Sequence, residues 1–166
     1  MKKSILIHPI EPLFDEHSRI LILGTFPSPR SREGEFFYHH PQNRFWKVMA
    51  HLTDSPVPET IAQKKALMLG NGIAVWDVIQ SCSITGASDS SIRDVVPTDL
   101  SIILEHAPIE RIFANGGTAY NLYMKYSYPK TGRSIVKLPS TSPANAAWSL
   151  DRLIEAWSII RPARIH

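Results

Sequence analysis

Apolar and polar positions alternate along this chain in short blocks, and the blocks switch between two periods. Arg19–Gly24 is a continuous apolar run closed by glycine, the pattern of a strand buried on both faces. Ile73–Ile79, Arg111–Ala114 and Ser134–Leu138 read the same way. Between them the apolar period lengthens to that of a helix. Phe45, Trp46, Met49 and Leu52 line one side of a helix opened by Asn43 as N-cap. A second helix is expected from Pro58 to Leu69, stopped by Gly70-Asn71-Gly72. A third is expected from Thr98, as its cap, to His106, and a fourth from Thr118 to Tyr126. The last runs from Ala144 to Ile159 with Trp148, Leu153, Ile154 and Trp157 as its buried stripe.

Two stretches lack either period. Thr25–Gln42 is rich in proline, arginine and serine and then aromatic, and reads as a long loop; loops of more than about 12–15 residues in compact domains usually serve function. Residues 80–93 are small and polar and read as a second loop. Strands alternating with helices predict parallel pairing and right-handed crossovers. The expectation is one domain over residues 1–166, an α/β/α three-layer sandwich around a mainly parallel four-stranded sheet.

Composition narrows the class without changing that picture. At 166 residues the chain is sized for one core, and 43% hydrophobic against 20% charged residues is globular. A single cysteine, Cys82, rules out an internal disulfide and argues against a cysteine-built zinc site. No apolar run approaches the roughly 18 residues of a membrane helix. The lysines near Met1 precede only Ile5-Leu6-Ile7 before His8 and Pro9, too short for a signal peptide. We therefore expect a cytoplasmic protein with no membrane partner, acting as a monomer. A net charge of +3 is compatible with a polyanionic partner, and with no basic tail the contact has to come from a folded face.

In open parallel sheets the ligand crevice lies beyond the carboxyl ends of the strands. Four segments belong there: Gly24–Ser28, Trp76-Asp77, Asn115-Gly116-Gly117 and Pro139–Ser142. No G-x-G-x-x-G, Walker or G-x-S-x-G motif accompanies them. Adjacent His39 and His40 lack metal-ligand spacing. No metal and no cofactor are expected.

The stretch from Gly24 to Trp46 carries the most specific pattern. Gly24-Thr25-Phe26-Pro27-Ser28 ends a strand, an aromatic segment with Phe37 and Tyr38 follows, and Pro41-Gln42-Asn43-Arg44-Phe45-Trp46 opens a helix. This resembles the uracil-DNA glycosylase superfamily, and Pro139-Ser140-Thr141-Ser142-Pro143 looks like its second motif. Phe26 stands where the mismatch-specific branch has an asparagine, and the second motif lacks the histidine of the main uracil-excising branch. The combination looks instead like the hypoxanthine-DNA glycosylase branch, whose catalytic asparagine falls here on Asn43.

The resemblance implies a monofunctional DNA glycosylase that flips a deaminated base out of DNA and hydrolyses its N-glycosidic bond. Hypoxanthine is the first expected base, then uracil or xanthine, in double-stranded or single-stranded DNA, which would associate the protein with the nucleoid. No lysine stands in either motif to form a Schiff base, so no lyase step is expected. Asn43 would place the attacking water; as a residue alone it equally suits a helix N-cap. Gly24, Thr25, Phe26, Pro27, Phe37, Tyr38 and Asn115 would form the base pocket. Ser28, Arg30, Arg32, Ser140, Thr141, Ser142 and Arg133 would contact DNA, with Lys130 a further surface cation. Asp77 could hydrogen-bond the base or a water. The alternatives are a mismatch-specific uracil glycosylase and a catalytically silent relative that binds DNA or a nucleotide.

Overall fold

The computed structural model describes residues 4–27, 29–34, 36–84 and 92–161. In chain order the elements are β1 (Ser4–Ile7), β2 (Ile20–Gly24), α1 (Pro29–Gly34), α2 (Phe45–Leu52), α3 (Ile61–Gly70) and β3 (Ile73–Asp77). There follow β4 (Ile79–Ile84), β5 (Arg93–Pro97), α4 (Ser101–Leu104), β6 (Arg111–Asn115) and α5 (Gly117–Leu122). A π-helical turn, Tyr123–Ser127, leads into α6 (Tyr128–Thr131), and β7 (Val136–Leu138) and α7 (Leu150–Trp157) complete the set.

The continuous apolar runs form a four-stranded sheet in the order β3-β2-β6-β7, with every pairing parallel. Strands β2 and β3 are buried along their whole length, as a sheet flanked by helices requires. This is the expected α/β sheet. The chain leaves β2 toward β3 on one side and β6 toward β7 on the other. The switch point, where ligands bind in such sheets, therefore lies between the carboxyl ends of β2 and β6, at Gly24 and Asn115. On one side α2 packs on α7, joining Phe45, Met49, Leu153 and Trp157 in the core.

Several elements depart from the sequence expectation. The strand expected over Ile73–Ile79 breaks at Val78, whose N–H bonds to Gly24 O at 2.8 Å while that of Ile79 bonds to Thr25 O at 3.1 Å. There the chain turns into a second, antiparallel sheet ordered β1-β4-β5. Residues 80–93, expected as a loop, supply β4 and the first residue of β5, with 85–91 outside the described residues. The strand is built on Cys82 and Ser83, buried residues too small to register as an apolar run. Within Thr25–Gln42 the short helix α1 starts at Pro29, a favoured first helical residue.

Helix ends also move. Thr98 does not cap: its buried hydroxyl donates to the carbonyls of Asp77 and Val78, and α4 is a single turn. Helix α5 continues through the π turn beyond Tyr126, so the expected end there is overrun. Helix α7 starts at Leu150 with Ser149 as its cap, and residues 144–148 form turns held from elsewhere. Helix α3 starts after Thr60, three residues past Pro58, because Thr60 and Gln63 close a capping box. Thr60→Ala should cost about 1 kcal/mol and lower the melting temperature by roughly 2–4 °C, read by thermal circular dichroism.

Candidate active site

The four strand-end segments do meet along the carboxyl edge of the parallel sheet. Gly116 N–H bonds to Leu138 O at 2.8 Å, which brings the post-β6 and post-β7 loops together. Gly116 has φ +98°, and a Cβ there would stand 3.1 Å from Ser140 Cβ, so both conformation and space call for glycine.

Asn43 is fixed by two donors. Its Oδ1 accepts the Phe45 N–H at 2.9 Å and the Thr141 hydroxyl at 2.8 Å. A backbone N–H can only donate, so the amide cannot be flipped. Thr141 Oγ1 in turn accepts from Asn115 Nδ2 at 3.0 Å, and the Thr141 N–H donates to Asn115 Oδ1 at 3.1 Å. The direction of every bond in this relay is defined. The Asn43 NH₂ group is its one end without a partner among the described residues. The N-cap of α2 is Arg44, one residue past the expected Asn43, and it makes no side-chain cap bond. The Asn43 carbonyl instead serves the first residue of α2, which leaves its amide end available.

The next residue secures the rest of the post-β7 loop. The Arg44 guanidinium donates to Ser142 O at 2.9 Å, to Asn145 O at 3.1 Å, and to Trp148 O. Arg44 N–H also bonds to Thr141 O at 3.1 Å. Charge-assisted bonds of this kind are about twice as strong as neutral ones. They hold residues 142–148 in turns where the sequence suggested helix.

A second polar cluster sits at the end of β3. His8 Nδ1 accepts the Ile10 N–H at 3.2 Å, so Nε2 carries the proton and donates to Asp77 Oδ2 at 2.8 Å. Both side chains are buried, at 1% and 6% exposure. Asp77 Oδ1 accepts no hydrogen bond among the described residues and lies against Gly24, where a Cβ would be 2.4 Å away. Tyr38 stacks on Phe45 with centroids 4.0 Å apart and takes a left-handed backbone, φ 51°. Its buried hydroxyl has no hydrogen-bond partner among the described residues. Burial, then the Asp77 charge, pushes the phenol far above the usual tyrosine range; the Asn115 amide opposes this from outside hydrogen-bond geometry.

The remaining expected residues divide. Phe26 is partly exposed, edge-on to His8 at 5.7 Å and beneath the Arg32 guanidinium at 5.8 Å. Thr25 is partly exposed beside it, and Arg32 also bonds to the carbonyl of buried Pro27. Phe37 is packed into the core against Phe36, which leaves it no face for a base. Ser140 and Ser142 line an open groove of about 530 Å³ with Gly117, Lys137, Asn145 and Trp148. Thr141 does not: it is fully buried with its hydroxyl spent on the relay, so it cannot contact DNA. Arg133 bonds to Ile109 O, ahead of β6 at the amino edge of the sheet, away from the site. Ser28 and the side chain of Arg30 lie outside the described residues.

His8, Lys137 and Trp148 were missed by sequence reasoning. Only His8 carried a signal, standing with Pro9 at the end of a short apolar run.

An asparagine amide is thus held rigid beside the carboxyl edge of a parallel sheet, next to a Ser/Thr loop. The family model described as Uracil DNA glycosylase superfamily matches residues 11–161, and the chain belongs to that family. A curated relative from Methanosarcina acetivorans, named hypoxanthine DNA glycosylase, is 32% identical over 150 residues, 90% of this chain and 94% of its own. One of the same name from Methanosarcina barkeri is 31% identical over 107 residues, 63% of this chain and 68% of its own. A solution NMR structure from Methanosarcina acetivorans, described provisionally as a uracil DNA glycosylase, superposes with a TM-score of 0.80 at 31% identity. It covers 95% of this chain and 98% of its own. Among the described residues no helix is long and apolar enough to cross a membrane.

Thr141→Val keeps the shape of the relay and removes its only hydroxyl. We expect it to destabilise the protein by about 1–3 kcal/mol in urea unfolding, with Thr141→Ser restoring most of the loss.

Proposed function

We propose that this DNA glycosylase hydrolyses the N-glycosidic bond of hypoxanthine in DNA, with uracil and xanthine as secondary bases, and leaves an abasic site without cutting the strand. The observation that carries the mechanism is the fixed Asn43 amide. As the glycosidic bond lengthens, its electron pair passes to the departing base and positive charge develops on the sugar. A water held through its oxygen by the Asn43 NH₂ group keeps a lone pair for the sugar carbon, forms the new C–O bond and then loses its proton to solvent. The residue supplies placement, not proton abstraction. With Oδ1 already occupied by two donors, the NH₂ group is the end left to hold a water.

The base must first leave the helix, which is cheapest when it is mispaired, as deaminated bases are. Phe26 offers a partly exposed ring on which it can stack, and Tyr38, Gly24 and Asn115 stand around it. The groove of Ser140, Ser142 and Lys137 suits the phosphates on either side, and Arg32 stands near the pocket mouth. The partner is double-stranded DNA, with single strands as a second form, met by a cytoplasmic monomer. The name of the relatives that cover the chain favours hypoxanthine. The absence of an asparagine at Phe26 separates the chain from the mismatch-specific uracil pattern.

The test is single-turnover cleavage of oligonucleotides carrying one hypoxanthine, uracil or xanthine, with EDTA present and hot alkali to reveal abasic sites. Hypoxanthine should react fastest, and Asn43→Ala should slow it by roughly 10²-fold or more. Reaction with uracil alone, or an undiminished variant, would overturn the proposal.

A further inference from the structure

The catalytic reading uses nothing from the antiparallel sheet, yet that sheet delivers a side chain to the site. Strand β1 pairs with β4, and the His8 N–H bonds to Gln80 O at 2.7 Å as the chain leaves the ladder. This sets the imidazole over the end of β3, 69 residues along the chain from its partner Asp77. The ring is boxed by Phe26 at 5.7 Å and by Phe37 and Trp76, both at 6.3 Å. The Asp77 carboxylate thus has Oδ2 bound by His8 and Oδ1 without a hydrogen bond among the described residues, an acceptor left for a ligand.

We propose that His8 is a positioning residue for base selection: its Nε2–H pins Asp77 Oδ2, so that Oδ1 is a fixed acceptor for a ring N–H of the extruded base. The inference rests on the reading above, that the chain excises hypoxanthine. Deamination of a purine amine converts a ring nitrogen from a lone-pair acceptor into an N–H donor beside the new carbonyl. A carboxylate oxygen that cannot donate meets the deaminated base with attraction, and meets the undamaged base's ring nitrogen with lone pair against lone pair. Such a site discriminates by leaving its own buried acceptor unpaired with the wrong base.

Gly24 fits this arrangement. Any side chain there would collide with Asp77 Oδ1 and, at 2.9 Å, with the Tyr38 hydroxyl, so only glycine lets the carboxylate sit in this position against β2. His8 acts at one remove, through the direction in which Asp77 points. The titratable groups around Asp77 are His8 itself and Tyr38, with the Arg32 guanidinium one ring away over Phe26.

The experiment compares single-turnover rates on hypoxanthine and on unsubstituted purine, a base of the same ring shape without the ring N–H. It is run with wild type, His8→Phe, His8→Gln and Asp77→Asn, each checked for folding by circular dichroism. Wild type should favour hypoxanthine, and His8→Phe and Asp77→Asn should each shrink that preference by at least about tenfold. His8→Gln, which keeps an N–H donor for Asp77, should recover part of it. A purely structural role for His8 would lower both rates together and leave their ratio unchanged, and that result overturns the inference. Failure of wild type to act on hypoxanthine would instead overturn the functional reading on which it rests. If His8→Phe does not fold, the ratios for Asp77→Asn and His8→Gln decide.

Discussion

The hydrogen bond from the Thr141 hydroxyl to Asn43 Oδ1 is the joint on which the site depends. It ties the start of α2 to the loop after β7, and through Asn115 it ties both to the end of β6. Three segments distant in sequence thereby become one rigid wall. Because the Phe45 N–H also claims the Asn43 carbonyl, the wall presents an amide of known orientation. Arg44 reinforces the joint from the neighbouring position by holding the carbonyls of the 142–148 turns. One tripeptide, Asn43-Arg44-Phe45, thus supplies the fixed amide, the clamp on the post-β7 loop and the aromatic face beneath Tyr38.

A second constraint comes from the break at Val78. By handing its N–H to Gly24, the chain ends β3 at Asp77 and crosses into the antiparallel sheet. That sheet places His8 over Asp77 and, through β5, brings Thr98 to the Asp77 carbonyl. Strand β1 is itself a poor strand to bury, with Ile5 and Ile7 at 79% and 68% exposure. What fixes its end is polar: the bonds of His8 to Gln80, Asp77 and Ile10. The two sheets meet at the site, one supplying the edge and the other a side chain.

Much of the frame was legible because burial on both faces leaves a continuous apolar run. Ile20–Gly24 and Arg111–Asn115 show this plainly, and their ends located the edge where Gly24 and Asn115 meet. The Asn43 block stood out through its resemblance, and the structure gives that asparagine's carbonyl two donors, Phe45 and Thr141. The antiparallel sheet was hidden because β4 packs through Ile79, Cys82 and Ser83, a strand pattern written partly in small residues. The His8–Asp77 pair was hidden for another reason: no local pattern announces a contact across two sheets. Thr141 misled in the opposite sense, since a hydroxyl in a Ser/Thr loop suggests phosphate contact and here is consumed inside the protein.

The central claim is that Asn43 works through its NH₂ group while its carbonyl is held by Phe45 and Thr141. Asn43→Asp tests this most directly, because it keeps an oxygen for both donors and removes the amide hydrogens. The measurement is its single-turnover rate on a hypoxanthine oligonucleotide at neutral pH beside that of Asn43→Ala. The account predicts that both variants are slowed to a similar extent, roughly 10²-fold or more. An aspartate variant as fast as wild type would mean that the water is held or activated through an acceptor, and would contradict it.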